Sequence, residues 1–241
     1  MKSYKARGIV LNSVKYGDKA LIVQMLTDTL GRQSYIVQGV GSGKGRGSKM
    51  ALFQPMFALQ FEGIVSDKSE LHRLKDTQSG IVLQSMPYDI RKSTIALFMA
   101  EVLYRLIGES EANSIFFDFV WGSIEALDTI DEGVANFHLW FLANISRFLG
   151  FAPGNDYISD SYFDMREGLY TLQRPAHDKF LNAEYARLLN DLIECDVEFL
   201  GEIGLNRTQR VDMLSGLVDY YSLHLDAIRR VQSIAILQQV F

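Results

Sequence analysis

The pattern of hydrophobic and polar positions changes once along the chain, near residue 80. Before that point, short runs rich in β-branched and aromatic residues alternate with segments containing glycine, proline or aspartate, a pattern typical of strands joined by turns. The five runs lie at residues 9–11, 20–26, 34–37, 52–61 and 70–74. Pro55 in the fourth run indicates an edge strand or a bulge. Five short strands in so short a segment predict a small barrel, because closure removes exposed strand edges.

Beyond Pro87 the hydrophobic residues recur at helical spacing. Ile95, Phe98, Val102 and Leu106 share one face of the first predicted helix. The same spacing predicts further helices at residues 116–130, 137–148, 185–193 and from 206 onward, where an asparagine is expected to be the N-cap. Alternating polar and apolar residues within 155–174 predict a β-hairpin. The chain is therefore predicted to be an α+β protein with a barrel domain at 1–80 and a helical bundle domain at 81–241.

The net charge of −5 conceals two parts of opposite sign. Residues 1–80 contain 12 Lys/Arg against 6 Asp/Glu, a charge of +6, whereas residues 81–241 carry −11. Among the first 50 residues, nine basic side chains stand against two acidic ones. Such an asymmetry indicates a segment that binds a polyanion.

Basic residues interleaved with tyrosines on a small barrel favour binding of single-stranded nucleic acid, through a basic groove and aromatic surfaces on which bases stack. The glycine-rich segment 39–49 is predicted to be a mobile loop that wraps a phosphate backbone, since its spacing fits neither a P-loop nor a dinucleotide fingerprint. The candidate DNA-binding residues are Lys5, Arg7, Lys15, Lys19, Arg32, Tyr35, Lys44, Arg46 and Lys49. Because Tyr35 lies within an apolar run, a place in the core is an equal alternative for it.

No motif in the sequence points to catalysis or to a bound metal. None of the four histidines pairs with another histidine or with Cys195, the single cysteine, at metal-ligand spacing. Asp160 and Asp164 share a face of the predicted hairpin, but Glu167 falls in its turn, which disfavours a cation site. The sequence therefore predicts a protein that is not an enzyme and holds no cofactor or metal. A metal-dependent nuclease using Asp160 and Asp164 is the less favoured alternative.

Arg207 and Arg210 stand three residues apart at the start of the last predicted helix. They form a candidate cationic notch for a partner's carboxylate, and the alternative is an intramolecular salt bridge to the surplus acidic residues. A non-enzymatic adaptor that binds partners through the helical bundle is a further interpretation. The start of the chain lacks an apolar run of signal-peptide length, and the charge-free run 134–146 is shorter than the roughly 20 residues that span a bilayer. These features predict a cytoplasmic protein without membrane contact.

Several segments resemble the RecO family of bacterial DNA repair and recombination proteins, in the order and spacing that the family shows. They are Ala6–Leu11, Tyr16-Gly17-Asp18, Leu26-Thr27 with Gly31, Val37–Lys49 with Leu52–Met56, Leu149–Pro153, Leu205-Asn206-Arg207, Tyr220-Tyr221 and His224-Leu225. The resemblance covers nearly the whole chain.

The resemblance implies an N-terminal OB-fold and an α-helical C-terminal domain. It also implies binding of single- and double-stranded DNA, annealing of complementary strands, and help in loading a recombinase onto strands coated by single-strand-binding protein, at the nucleoid. The implied partners are RecR, in some members RecF, and the acidic C-terminal tail of single-strand-binding protein. Many members carry a four-cysteine zinc module after the Leu-Gly-x-x-Pro landmark. Residues 155–174 contain no cysteine, which excludes that zinc site here and leaves the predicted hairpin in its place.

Overall fold

The computed structural model describes residues 3–40, 50–65, 71–108 and 112–241. They fall into two compact units, Met1–Asp128 and Thr129–Phe241. The first unit holds the barrel and two helices, and the second holds the remaining helices and a small sheet. The barrel ends at Ser79, close to the predicted boundary, but the compact unit that contains it continues well beyond residue 80.

Five strands of the first unit form a closed barrel. They are β1 (Ser3–Tyr16), β2 (Ala20–Thr27), β3 (Gly31–Gln38), β4 (Ala58–Ile64) and β5 (Leu71–Ser79). The order around the barrel is β1-β2-β3-β5-β4, and every neighbouring pair is antiparallel except β3 with β5. This closed five-stranded barrel followed by helices is OB-like and confirms the predicted fold class.

Large apolar side chains fill the barrel interior. Val10, Met25, Tyr35 and Leu59 are fully buried there and belong to one contiguous cluster. Gly63 on β4 is required by this packing, because a Cβ atom at that position would lie 2.5 Å from the ring of Tyr4. The buried cluster is therefore formed by the strand side chains that point into the barrel, while their neighbours along each strand point outward.

The fourth predicted run is shorter as a strand than the sequence indicated. Residues 51–56 are mostly in turns, and Met56 has a φ of +63°. β4 begins only at Ala58, so Pro55 precedes the strand and removes no hydrogen bond from the sheet. The prediction of an edge strand or bulge at Pro55 is therefore wrong.

Two helices, α1 (Ile90–Leu106) and α2 (Ser114–Thr129), complete the first unit. Asp89 caps α1 by accepting a hydrogen bond from the backbone N–H of Arg91. At the end of α2, the carboxylate of Asp128 accepts hydrogen bonds from three consecutive backbone N–H groups, at 2.8 Å, 2.9 Å and 2.7 Å. Its carboxylate thus fastens the segment that follows β5.

The second unit contains α3 (Phe137–Ile145), α4 (Ala183–Glu194), α5 (Arg207–His224) and α6 (Ser233–Val240). Its sheet has the order β7-β6-β8, formed by β6 (Tyr162–Asp164), β7 (Leu169–Thr171) and β8 (Phe180–Leu181). Antiparallel pairing of β6 with β7 confirms the predicted hairpin, whereas β8 and α6 were not predicted. Asn206 caps α5 in a reciprocal arrangement with Gln209, as its position indicated.

Candidate nucleic-acid interface

Residues Ser3–Ile9 of β1 pair with β4, pairing with β2 begins at Gly8, and beyond Ile9 the only strand partner of β1 is β2. A β-bulge between Val10 and Asn12 marks the change. The hairpin formed by the end of β1 and the start of β2 therefore extends past the β1–β4 pair, and its turn lies at Gly17, which has a φ of +63°. Glycine adopts this left-handed conformation without the strain that a side chain brings.

One surface of this hairpin is apolar although it faces solvent. Val14 lies opposite Ile22, and Ile22 lies opposite Ile36 on β3, so these three side chains form one row across the sheet. Tyr16 and Ala20 begin the next row. We call this surface, formed by Val14, Tyr16, Ala20, Ile22 and Ile36, the tip face. Val14 and Tyr16 are each 56% exposed, while Leu21 and Val23, which alternate with Ile22, point into the core.

Basic and polar side chains border the tip face. Lys19 is exposed in the turn beside the tip face, and Arg73 on β5 continues the row that ends at Ile36. Lys15 is exposed on the same hairpin, but it pairs in register with Leu21 and therefore projects from the side opposite the tip face. The ion pairs found among the described residues include neither of the two lysines. Their ammonium groups are therefore available to phosphate, the contact that dominates nucleic-acid affinity.

Lys5 and Arg7 lie elsewhere on the barrel, in a groove of about 600 Å³. Arg7 donates hydrogen bonds from Nε to Asp28 at 3.1 Å and from Nη2 to Asp118 at 2.9 Å. Burial lowers the pKa of Arg7, but hydrogen bonds and charge from the two carboxylates outweigh it and raise that pKa. Lys5 pairs in register with Glu62. These cations are surrounded by carboxylates, so they form a weaker anion site than the hairpin lysines.

Arg32 is occupied by the end of α1. Its Nη1 atom donates to the carbonyl oxygens of Tyr104 at 2.8 Å and Ile107 at 2.5 Å, and its guanidinium lies 4.6 Å from the centre of the Tyr104 ring. Tyr104 lies in the last turn of α1 and Ile107 is its C-cap residue, the region where helical carbonyls run out of intrahelical partners. The side chain acts as a C-cap, which argues against a role for Arg32 in DNA contact.

Tyr35 is fully buried, with a relative exposure of 0%. Its hydroxyl lies 2.8 Å from that of Tyr4, which in turn lies 3.2 Å from Nδ1 of His72. Burial, together with the hydrogen bond to Tyr4, raises the pKa of Tyr35. A base cannot stack on a ring inside the barrel, so the prediction of Tyr35 as a DNA-binding residue is wrong and the core alternative holds.

The loop candidates Lys44, Arg46 and Lys49 lie outside the described residues.

In the second unit, Arg207 donates to the carbonyl oxygens of Gln238 and Gln239 at 3.2 Å and 3.3 Å. Arg210 donates to the carbonyl oxygens of Leu205 at 2.5 Å and Phe241 at 3.4 Å. Both arginines thus donate to backbone carbonyls, and the ion pairs found among the described residues include neither of them.

Two family models match successive parts of the chain. The model of the Recombination protein O N terminal matches residues 1–79, and that of the Recombination protein O C terminal matches residues 87–232. The chain belongs to the RecO family. The DNA repair protein RecO of Bacteroides fragilis is 39% identical over 239 residues, covering 98% of both chains. The proteins of the same name from Phocaeicola vulgatus and Flavobacterium psychrophilum are 37% and 35% identical over 238 residues, again covering 98% of each chain.

The described parts of this RecO-family chain hold no group of three or more His, Cys, Asp or Glu arranged to bind a metal ion. Asp164, a candidate of the less favoured nuclease, instead accepts hydrogen bonds from two backbone N–H groups and lies 3.1 Å from Nε2 of His177. In the same described ranges, no helix combines the length and apolar character needed to cross a bilayer.

Most of the tip face was not predicted from the sequence. Lys15 and Lys19 on the same hairpin were candidates, whereas Ile22, Ile36 and Arg73 were not. A signal was present in β2, where Leu21, Ile22 and Val23 are all apolar. A strand that covers a core on one side and faces water on the other normally alternates. Consecutive apolar residues therefore pointed to a second apolar surface outside the barrel.

Proposed function

We propose that this protein is a DNA-binding recombination mediator in DNA repair. It binds single- and double-stranded DNA, anneals complementary strands and assists recombinase loading on strands coated by single-strand-binding protein. It acts without catalysing a chemical step. The expected partners are RecR, RecF and the acidic C-terminal tail of single-strand-binding protein, and the work takes place at the nucleoid in the cytoplasm.

The observation that carries the proposal is the exposed β1–β2 hairpin of an OB-like barrel, which presents Lys15 and Lys19 together with an apolar surface. OB-fold proteins that bind single strands combine basic groups that follow the phosphates with surfaces on which bases rest. Membership of the RecO family adds weight, because relatives of this length are named DNA repair proteins. The acidic composition of residues 81–241 makes them a poor DNA surface, which favours a role in contacts with proteins.

Annealing requires two strands to approach despite their repulsion. A basic hairpin neutralises phosphates and concentrates strands, and it leaves base edges free to pair as long as its contacts are mainly to the backbone. A pair of lysines at the end of a projecting hairpin suits this task, since both strands can reach it. No bond is made or broken in the process.

The test is a double variant, Lys15→Gln with Lys19→Gln, measured by fluorescence anisotropy with a single-stranded oligonucleotide over a range of salt concentrations. Loss of two phosphate contacts should reduce the slope of log K against log salt by about 1.4. Annealing of complementary oligonucleotides should slow in parallel. The matched control is Lys75→Gln, because Lys75 is exposed but already paired with Glu62 at 3.4 Å.

An affinity that does not depend on salt would contradict the proposal. Absence of any DNA binding together with capture of a partner would favour the adaptor. Shortened products from a labelled strand in Mg²⁺ or Mn²⁺ would favour a nuclease, provided that Asp160→Asn or Asp164→Asn abolishes them.

A further inference from the structure

We propose that the tip face binds unpaired bases, with the ring of Tyr16 as the stacking surface, and that this contact makes the hairpin prefer single strands to duplex DNA. The inference rests on the proposed function and names the part of the nucleic acid that this surface recognises. The phosphate contacts of Lys15 and Lys19 by themselves would not distinguish the two forms of DNA.

The tip face is an apolar surface that is not part of the core of the barrel. Val14 and Tyr16 are each 56% exposed, and the interior beneath them is already filled by buried residues such as Leu21 and Val23. Contiguous apolar side chains in water mark a surface that is covered when a ligand or partner binds.

The second step is the size of the surface. Neighbouring strands lie about 4.8 Å apart, and alternate residues of a strand lie about 6.7 Å apart. Three strands and two rows therefore give a surface roughly 10 Å by 7 Å, which suits one or two flat rings. Tyr16, at the corner next to the turn, supplies a ring, and base–aromatic stacking is tolerant of sequence.

The third step is the border of the tip face. Beyond the Val14 row lies a polar row in which Asn12 pairs in register with Gln24, and Gln24 with Ser34. Gln38 stands beside Ala20 at the end of the Tyr16 row. The Nδ2 atom of Asn12 lies 3.5 Å from Oε1 of Gln24, and amide side chains have further donor and acceptor capacity that suits base edges. Together with Lys19 and Arg73, this border offers polar groups to a base edge and positive charge to a phosphate.

The final step separates single strands from duplex. A paired base is covered on both faces by its neighbours, and unstacking it costs a few kcal/mol. An unpaired base can leave its neighbours at lower cost and rest on Tyr16. Stacking therefore adds affinity for single strands only, and it adds a contribution that depends little on salt because no counterion is released.

The test compares Tyr16→Ala with Tyr16→Phe in the full chain. Affinities are measured for an oligo-dT strand and for a 20-base-pair duplex at one salt concentration, and again over a salt series. Loss of one stacked base should weaken binding of the single strand by about 5- to 150-fold, with duplex affinity and the salt slope unchanged. Tyr16→Phe keeps the ring and should restore single-strand affinity. Val14→Ser removes an apolar side chain from the neighbouring row of the tip face and should also weaken binding of the single strand.

Equal loss for single strand and duplex in Tyr16→Ala, or no loss for either, would overturn the inference. A change of oligomeric state in Tyr16→Ala with unchanged DNA affinity would also overturn it, since the tip face would then be a contact surface between two copies of the chain. The proposed function fails separately, when Lys15→Gln with Lys19→Gln leaves the salt dependence intact. Because Tyr16 is 56% exposed, its variants should keep the thermal midpoint of the unaltered chain, which serves as the folding control.

Discussion

Two tyrosines of the barrel show how much depends on the side of a strand to which a residue points. Tyr35 is fully buried and its hydroxyl bonds to Tyr4, whereas Tyr16 is 56% exposed at the hairpin. Both have basic residues nearby in the sequence, so local charge does not separate them. Side-chain direction follows from the register of each strand, and one bulge is enough to reverse it. The register therefore decides which tyrosine can meet a base.

His138 is a second residue whose role follows from its surroundings. It is 1% exposed on α3, and its ring stacks on that of Phe241 with the ring centres 5.4 Å apart. Burial, assisted by the charge of Arg210, lowers the pKa of His138 from 6.5 to about 3. The His138 ring is therefore part of the buried packing of this unit.

The depressed pKa of His138 makes stability depend on pH. As the pH falls below about 6.5, the unfolded chain takes up a proton that the folded chain refuses until about pH 3, so the free energy of unfolding decreases across that window. At pH 5 the loss from this residue is about 2 kcal/mol. Urea unfolding at pH 7 and pH 5 should show a smaller loss in His138→Gln than in the unaltered chain. Identical losses in both proteins would contradict the assignment.

Among the elements, α1 depends on a side chain from the barrel for its C-terminal end. Arg32, from β3, donates to one carbonyl oxygen of the last turn and to that of the C-cap residue Ile107, and it packs on Tyr104. The partners are more than 70 residues away in the sequence, so no local motif announces them. The sequence shows only that Arg32 lies in a basic segment, and for that reason it was predicted to bind DNA.

We expect Arg32→Met to lower the free energy of unfolding by about 1.5–3 kcal/mol, because it removes hydrogen bonds of a charged donor and leaves two carbonyls without a partner. The methionine keeps an unbranched apolar stem against Tyr104. Urea unfolding gives the stability, and anisotropy titrations give the salt slope, which should not change. Lys19→Met is the counterpart, with unchanged stability and a smaller slope. A reduced slope with normal stability in Arg32→Met would return Arg32 to the DNA surface.

Periodicity predicted most elements of the fold, and it failed where a few contacts decide the structure. All five barrel strands, the hairpin of β6 with β7 and the first five long helices fall within or overlap their predicted ranges. β4 starts late because turn residues precede it, at Met56 with its positive φ. The short helix α6 has only Ser233 and Leu237 buried, too few positions to establish a helical period, and the carbonyls of its last residues are bound by Arg207.

At the scale of the whole molecule, the change in charge and the change in packing occur at different places. The charge and the hydrophobic period both change near residue 80, whereas the first compact unit ends at Asp128. Arg7 explains part of the difference, because it bonds to Asp118 at 2.9 Å and lies over the rings of Phe117 and Trp121, 4.9 Å and 5.3 Å from their centres. Composition along the chain cannot reveal contacts between residues over 100 positions apart.

The last prediction concerns the boundary at residue 80, which can be tested with two fragments. A fragment of residues 1–130 keeps the partners of Arg7 and Arg32 and should unfold cooperatively in urea. A fragment of residues 1–80 lacks the carboxylate of Asp118, the end of α1 and the ring of Trp121, which packs directly against Gly80. We expect it to be less stable by several kcal/mol, because buried apolar contacts and charged hydrogen bonds are lost together.

Circular dichroism in urea gives the stability of each fragment, and Arg7→Met in the 1–130 fragment is the matched control, expected to be intermediate. Equal stability of the two fragments would show that the barrel folds independently of α1 and α2. Both fragments retain the tip face, Lys15 and Lys19, but only a folded barrel holds β2 and β3 in register beneath Tyr16. The 1–130 fragment should therefore bind single strands with the preference of the full chain, and the shorter fragment should lose that preference to the extent that it unfolds.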